Sequence, residues 1–218
     1  MSHFVHEPIS GDFVLAGSWV GTTDLGFGPV ESYPSSSSPF VVRYRADGTP
    51  VWHDERPTSS QDYVVALAAS SDGEVAAVVS IDSPATDFEV VRYASDGEVR
   101  LRQTIGGPGV TGVRAAAYSP GGGLVTVGWF DVETSVGGPV LEASEGSRDA
   151  FVAQHGATGE YVWSYALGWR GMEAATSVAV GPDGRVAFTG GFTDSTHLAG
   201  EYFTNFGSSD VFLVSLAP

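Results

Sequence analysis

The stretch Gly181-Pro-Asp-Gly-Arg-Val-Ala-Phe-Thr-Gly-Gly-Phe192 sets a tight turn in front of a short apolar strand that ends on two glycines. Variants of it recur as SGDFVLAGSW (10–19), SSDGEVAAVVSI (70–81) and SPGGGLVTVGWF (119–130). Their last residues, Trp19, Ile81, Phe130 and Phe192, step by 62, 49 and 62 positions. A second marker keeps the same step. FVVRYRADG ends at Gly48, EVVRYASDG at Gly97 and FVAQHGATG at Gly159, while a fourth copy, DVFLVSLAP, stops before its glycine. Two independent markers in step indicate duplication, and repeats are the first thing to read in a sequence.

Each unit reads as four strands. In the best-defined copies these are ATSVAV, GRVAFTGGF, DAFVAQH and EYVWSYAL, here named a to d. All are short, rich in Val, Phe, Tyr and Ala, and bounded by Gly, Pro, Asp or Ser. The a–b turns (SDGE, PGGG, PDGR) and c–d turns (ADGT, SDGE, ATGE) carry Asp-Gly or Gly-Gly, which suit two-residue hairpins. No segment has a 3.6-residue apolar period with caps, so almost no helix is expected. The expected fold is all-β: a β-propeller of four-stranded antiparallel blades, about 3.5–4 of them, over approximate repeats 3–55, 63–104, 113–166 and 175–216 of one domain, 1–218.

DAFVAQHGATGEYVWSYALG (149–168), TSVAVGPDGRVAFTGGF (176–192) and, more loosely, GSWVGTTDLGFGP (17–29) resemble the bacterial seven-bladed-propeller repeat called the SBBP repeat. Such repeats occur in large surface or secreted proteins, including myxobacterial ones. The resemblance implies a propeller and an extracellular setting, and it brings no catalytic residues. Three departures stand out: VVSI in place of the Thr-Gly-x-aromatic ending with a short loop, DSPAT, in copy two; no strand d in copy four; and only HFVHEPI where copy one needs strand a. Pro8 in that segment cannot donate to a ladder. The expectation is an open ring, completed by a second copy in a homodimer or by blades of a longer chain, or else closed as a monomer by residues 4–9.

Composition narrows the function. A formal charge of 10 − 26 = −16 argues against nucleic-acid and anionic-membrane partners. Without cysteine there are no disulfides or thiolate metal sites, and the compartment stays open. MSHFVHEPISGDF does not read as a signal peptide, and no apolar run is long enough to insert in a membrane.

Antiparallel order puts the tight a–b and c–d turns at one end of each sheet and the long b–c connections at the other. Those connections, 20–38, 131–148 and 193–209, are the candidate binding face. Trp19, Trp129, Phe130 and Phe192 end strand b there, as inter-blade packing or as a stacking platform for sugar or peptide. Asp24, Asp131 and Asp194 open the loops, with Glu133, Glu142, Glu145 and Glu201 beyond, as a solvated rim or as weak calcium ligands. His197 is a lone imidazole in the same place, without the spacing of a zinc site. There is no nucleophile elbow, P-loop or His-Glu-x-x-His. No cofactor is expected beyond that possible calcium. The expected function is a non-catalytic scaffold binding a protein or glycan. The alternative is a polysaccharide hydrolase or lyase with a carboxylate pair among Asp24, Asp131, Asp194 and Glu201.

Overall fold

The structure, a computed structural model, describes residues 2–7, 10–82, 86–107, 109, 111–144, 148–198 and 200–217. Pro8, Glu145 and the centre of the 82–86 connection lie outside them. No described residue is helical. Sheet 1 takes its strands in the order β1 (His3–His6), β2 (Phe13–Trp19), β5 (Ser38–Tyr44), β6 (Pro50–Glu55), with a separate hairpin of β3 (Thr22–Asp24) and β4 (Pro29–Glu31) between β2 and β5. Sheet 2 is β7 (Tyr63–Ala69), β8 (Val75–Asp82), β9 (Thr86–Tyr93) and β10 (Val99–Ile105). Sheet 3 is β11 (Thr111–Tyr118), β12 (Leu124–Phe130), β15 (Asp149–His155) and β16 (Tyr161–Leu167), with β13 (Thr134–Ser135) and β14 (Val140–Leu141) paired apart. Sheet 4 has three strands, β17 (Glu173–Val180), β18 (Val186–Phe192) and β21 (Asp210–Leu216), with the hairpin β19 (Ser195–Leu198) and β20 (Glu201–Thr204). The chain is thus all-β, built of four antiparallel sheets, one per sequence repeat.

Two details went beyond the sequence. The long b–c connections of sheets 1, 3 and 4 are not open loops but carry two-stranded ribbons of their own. The hairpin turns also differ from the two-residue type. At 181–185 Gly181 N–H reaches Arg185 O at 2.8 Å and Gly184 N–H reaches Gly181 O at 3.0 Å, with Gly184 at φ 83°. The same double bond recurs at 70–74, 119–123, 45–49, 94–98 and 156–160. At 181–185 only Gly184, the residue before the returning strand, has positive φ, whereas at 119–123 both Gly121 and Gly122 do. Pro182, whose ring fixes a negative φ, excludes the type I′ turn with two positive values, so the loop opens to three residues.

β1 is a true strand, its His3–His6 paired with Ala16 down to Phe13 of β2. That places the described part of 4–9 on sheet 1 rather than beside β21. A bulge recurs at one position in three sheets, between Val64 and Ala66, Val113 and Ala115, and Ala175 and Ser177. It bends the first strand of each sheet.

The chain divides into two compact units, Met1–Pro84 with Phe88–Thr104, and Ala85–Asp87 with Ile105–Pro218. Each is a pair of sheets packed alike. In the first, β7 lies against β1, β2 and β5, and Val14, Ala16 and Val41 meet Val64, Leu67 and Val75 in a dry core. In the second, β17 lies against β11, β12 and β15, and Val125, Val127, Ala150 and Val152 meet Ala175, Val186 and Phe188. A buried Arg43 ties the tight-turn end of the first unit together. Its Nε contacts Asp12 at 3.0 Å and Nη2 contacts Glu7 at 3.5 Å, while Nη1 donates to Gly73 O and Ser95 O. Two carboxylates and two carbonyls offset the cost of burying that guanidinium.

Candidate functional site

The most unusual chemistry lies at the ribbon-bearing end of the second unit. Asp62, Thr111 and Glu173 occupy one repeat position, the start of strand a, and Thr23, Thr134 and Thr196 occupy another, in the ribbons. In sheet 3 the two positions meet as a pair of buried hydroxyls, with Thr111 Oγ1 and Thr134 Oγ1 2.6 Å apart. In sheet 4 the hydroxyl at the strand start is replaced by a carboxyl. Glu173 and Thr196 are both fully buried, and neither Glu173 oxygen nor Thr196 Oγ1 completes a hydrogen bond. Burial pushes the Glu173 carboxyl up to about 7, helped by the Asp149 carboxylate and, more weakly, by Asp194. Thr196 and the Trp169 backbone offset part of this rise without reaching full hydrogen-bond geometry.

Asp149 itself is held firmly. It opens β15, is buried, and accepts the Ser144 amide at 2.8 Å and the Ser144 hydroxyl at 2.7 Å. Its repeat partner Asp210 accepts the Phe206 amide at 2.9 Å. The aspartate of the Asp-x-Phe marker is therefore a clamp on the connection before strand c. Next to it, the Arg148 carbonyl accepts the Glu173 amide at 2.8 Å, its Nε donates to Asp131 at 2.9 Å, and its guanidinium lies over the Trp129 ring at 3.5 Å. The other face of Trp129 rests on Gly112, where a Cβ would come within 2.4 Å of the ring.

Above Glu173 stands an aromatic rim. Trp169, in the connection after β16, meets Tyr202 edge-on with centroids 5.5 Å apart and approaches His197 at 6.4 Å. His197 and Tyr202 are cross-strand partners of the β19–β20 ribbon, 4.7 Å apart. Arg170 lies 5.9 Å from the Trp169 ring, and Tyr202 is 64% exposed. On the far side of the ribbon a cleft of about 480 Å³ is lined by Phe203, Phe206, Asp210, Val211 and Leu213 among others.

The residues singled out from sequence divide by environment. Trp19, Phe130 and Phe192 are buried, Trp19 edge-on to Phe40 and Phe192 in the core of the second unit. Trp129 is half-buried between Arg148 and Gly112. Asp24 uses Oδ1 to accept the amides of Gly26 and Gly28, 2.8 and 3.1 Å away, and so shapes the β3–β4 turn. Asp131 is tied to Arg148. Asp194 is exposed with φ 58°, and His197 joins the rim. Among the described residues no three acidic or imidazole groups converge closely enough to hold a metal ion. Glu173, Thr196, Trp169 and Tyr202 were not singled out. The one signal available was positional: aligning the strand starts sets Glu173 against Thr111, a charge where another copy has a hydroxyl.

No protein-family model matches the chain, and no curated protein matches it. Among solved structures, the 1.35 Å crystal structure of a protein of unknown function from Bacteroides caccae is similar over 93% of this chain and 72% of that one, at 10% sequence identity and a TM-score of 0.40.

Proposed function

We propose that the sheets are blades of a β-propeller and that the chain is a non-catalytic glycan-binding module using its ribbon-bearing face. In favour of the propeller, each unit repeats one arrangement, with the first strand of one sheet laid against the face of the sheet before it. In favour of glycan binding stands the Trp169–His197–Tyr202 rim. An exposed aromatic face on a rigid sheet end, with polar groups at its edge, suits the apolar face of a sugar ring and its surrounding hydroxyls. Of the four carboxylates expected as an acid and base, two fit a non-catalytic role better: Asp24 is engaged by its own turn and Asp131 by Arg148, while Asp194 and Glu201 are exposed. The resemblance to repeats of surface and secreted proteins is consistent with glycan as a ligand.

The test is an oligosaccharide array followed by titration calorimetry on the best ligand. Trp169→Ala and Tyr202→Ala should each weaken binding about tenfold, roughly 1.4 kcal/mol, with melting temperatures near wild type. An array with no glycan bound, or affinity untouched by both substitutions, would overturn the reading, and capture of a protein ligand at the same rim would replace it.

A further inference from the structure

Two apolar surfaces that the repeat covers elsewhere are exposed among the described residues. The first is on sheet 4. Val211 and Leu213 of β21 occupy the repeat positions of Ala150 and Val152 in β15, which are fully buried beneath sheet 4. Val211 and Leu213 are 79% and 77% exposed. The registers agree, since Gly128 pairs with Phe151 and Gly190 with Phe212. The bare face runs into the cleft beside Phe203 and Phe206, the latter 97% exposed. A continuous apolar surface of this kind marks an interaction site.

The second bare face is on sheet 1. Phe4 pairs with Leu15 as Leu67 pairs with Ala77, so Phe4 is the counterpart of Leu67. Leu67 is 9% exposed and packs in the core of the first unit, whereas Phe4 is 62% exposed. It leans on Phe13, 5.7 Å away, which in turn stacks on Tyr44 at 5.4 Å.

Within each unit the strand-a and strand-b residues of a following sheet cover the strand-b and strand-c residues of the preceding one. Among the described residues, sheet 4 leaves Val211 and Leu213 of its preceding face uncovered, and sheet 1 leaves Phe4 of its following face uncovered, while the inner part of that face (Leu15, Phe40 and Val42) packs with Leu25 and Val30 of the β3–β4 hairpin. We propose that the bare face of sheet 4 binds the outer edge of sheet 1 of a second copy of this chain, with Phe4 and Phe13 of one copy laid over Val211 and Leu213 of the other. The contact is heterologous, joining two different surfaces, which is the kind of interface that builds rings or chains of copies. It does not depend on glycan binding. With a formal charge of −16 on each copy, association should strengthen as salt is raised from about 20 to 150 mM, because screening removes the mutual repulsion.

Light-scattering mass after size exclusion, from about 1 to 200 µM in 150 mM salt, tests this. Wild type should form dimers or larger species. Phe4→Gln and Leu213→Gln alter exposed residues on the two faces and should each leave a folded monomer, weakening association at least tenfold. Mixed together, the two variants should form a 1:1 dimer and nothing larger, because each retains the face that the other lacks. A wild type monomeric throughout that range would overturn the proposal, as would oligomers insensitive to both substitutions or variants that do not complement. A monomeric wild type that still binds glycan would leave the functional reading standing without this one.

Discussion

Replacing Glu173 with Gln is expected to stabilise the protein by roughly 2–3 kcal/mol at pH 8 and to change nothing at pH 4. The reason is proton linkage. In the unfolded chain this carboxyl titrates near 4.5, whereas in the folded protein burial and the neighbouring Asp149 carboxylate raise it to about 7. Between those values the native state binds more protons than the unfolded one, so this group makes stability fall as pH rises. Below about 4.5 both states are protonated and the site costs nothing. Above about 7 the native state holds an ionised carboxylate without a hydrogen bond to either oxygen, and the full penalty applies. Gln has nearly the same shape and no charge, and its amide is aimed at the Thr196 hydroxyl, itself without a partner. Urea unfolding of both proteins at pH 4, 6 and 8 gives the difference directly, and all other titrating groups cancel in it. A difference that stays constant across that range would mean that Glu173 is ionised at all three values, or solvated, and that the buried pair has been misread.

That expectation could not have been formed from sequence. The strands, their bounding turns and the repeat were legible because they are local: alternation, Asp-Gly and Gly-Gly steps and a fixed spacing each sit within a dozen residues. The environment of Glu173 is not local. It is made by β15, by the β19–β20 ribbon and by the connection holding Trp169, which are brought together only when sheets 3 and 4 pack. The same holds for Trp129, read as inter-blade packing or as a stacking platform, whose ring lies against Gly112 and Arg148. The ribbons in the long connections were hidden for another reason. With two to four residues per strand, β3, β13 and β19 are too short to show a period. Asp24, read as part of a solvated rim or as a weak calcium ligand, makes with the glycines after it the turn that closes one such ribbon. Strands and tight turns could be placed from sequence, whereas the partners of single side chains such as Asp24 and Trp129 required the fold.

The two glycines of the opening stretch separate these cases in one experiment. Gly190→Ala should destabilise the protein by about 3 kcal/mol, and Gly191→Ala by less than about 0.5 kcal/mol. Composition treats the two alike, and neither has positive φ, so backbone conformation does not distinguish them. Their surroundings do. A Cβ on Gly190 would sit 2.0 Å from the carbonyl oxygen of Ala174 and 2.6 Å from the Phe212 ring, and the first of these is backbone of the adjoining strand. The carbonyl precedes the bulge between Ala175 and Ser177, and Phe212 is buried in the core of the second unit, so relief means moving β17 or opening packed apolar surface. A Cβ on Gly191 would meet only the Asp210 oxygen at 3.6 Å, an ordinary contact, and Ala would reduce the freedom of the unfolded chain. Sheet 3 repeats the demand, with a Cβ at Gly128 2.0 Å from Gly112 O, so Gly128→Ala should lose about as much as Gly190→Ala. Sheet 2 carries a buried Val79 at this position, which makes the requirement a property of how closely the strands approach in sheets 3 and 4 rather than of the repeat itself. For a chain of this size the Gly190 and Gly128 losses correspond to falls of roughly 6–12 °C in melting temperature. Calorimetric scans of the three variants decide the matter: equal losses for Gly190→Ala and Gly191→Ala would show that both glycines serve strand flexibility, and that the close approach at Ala174 does not exist in solution.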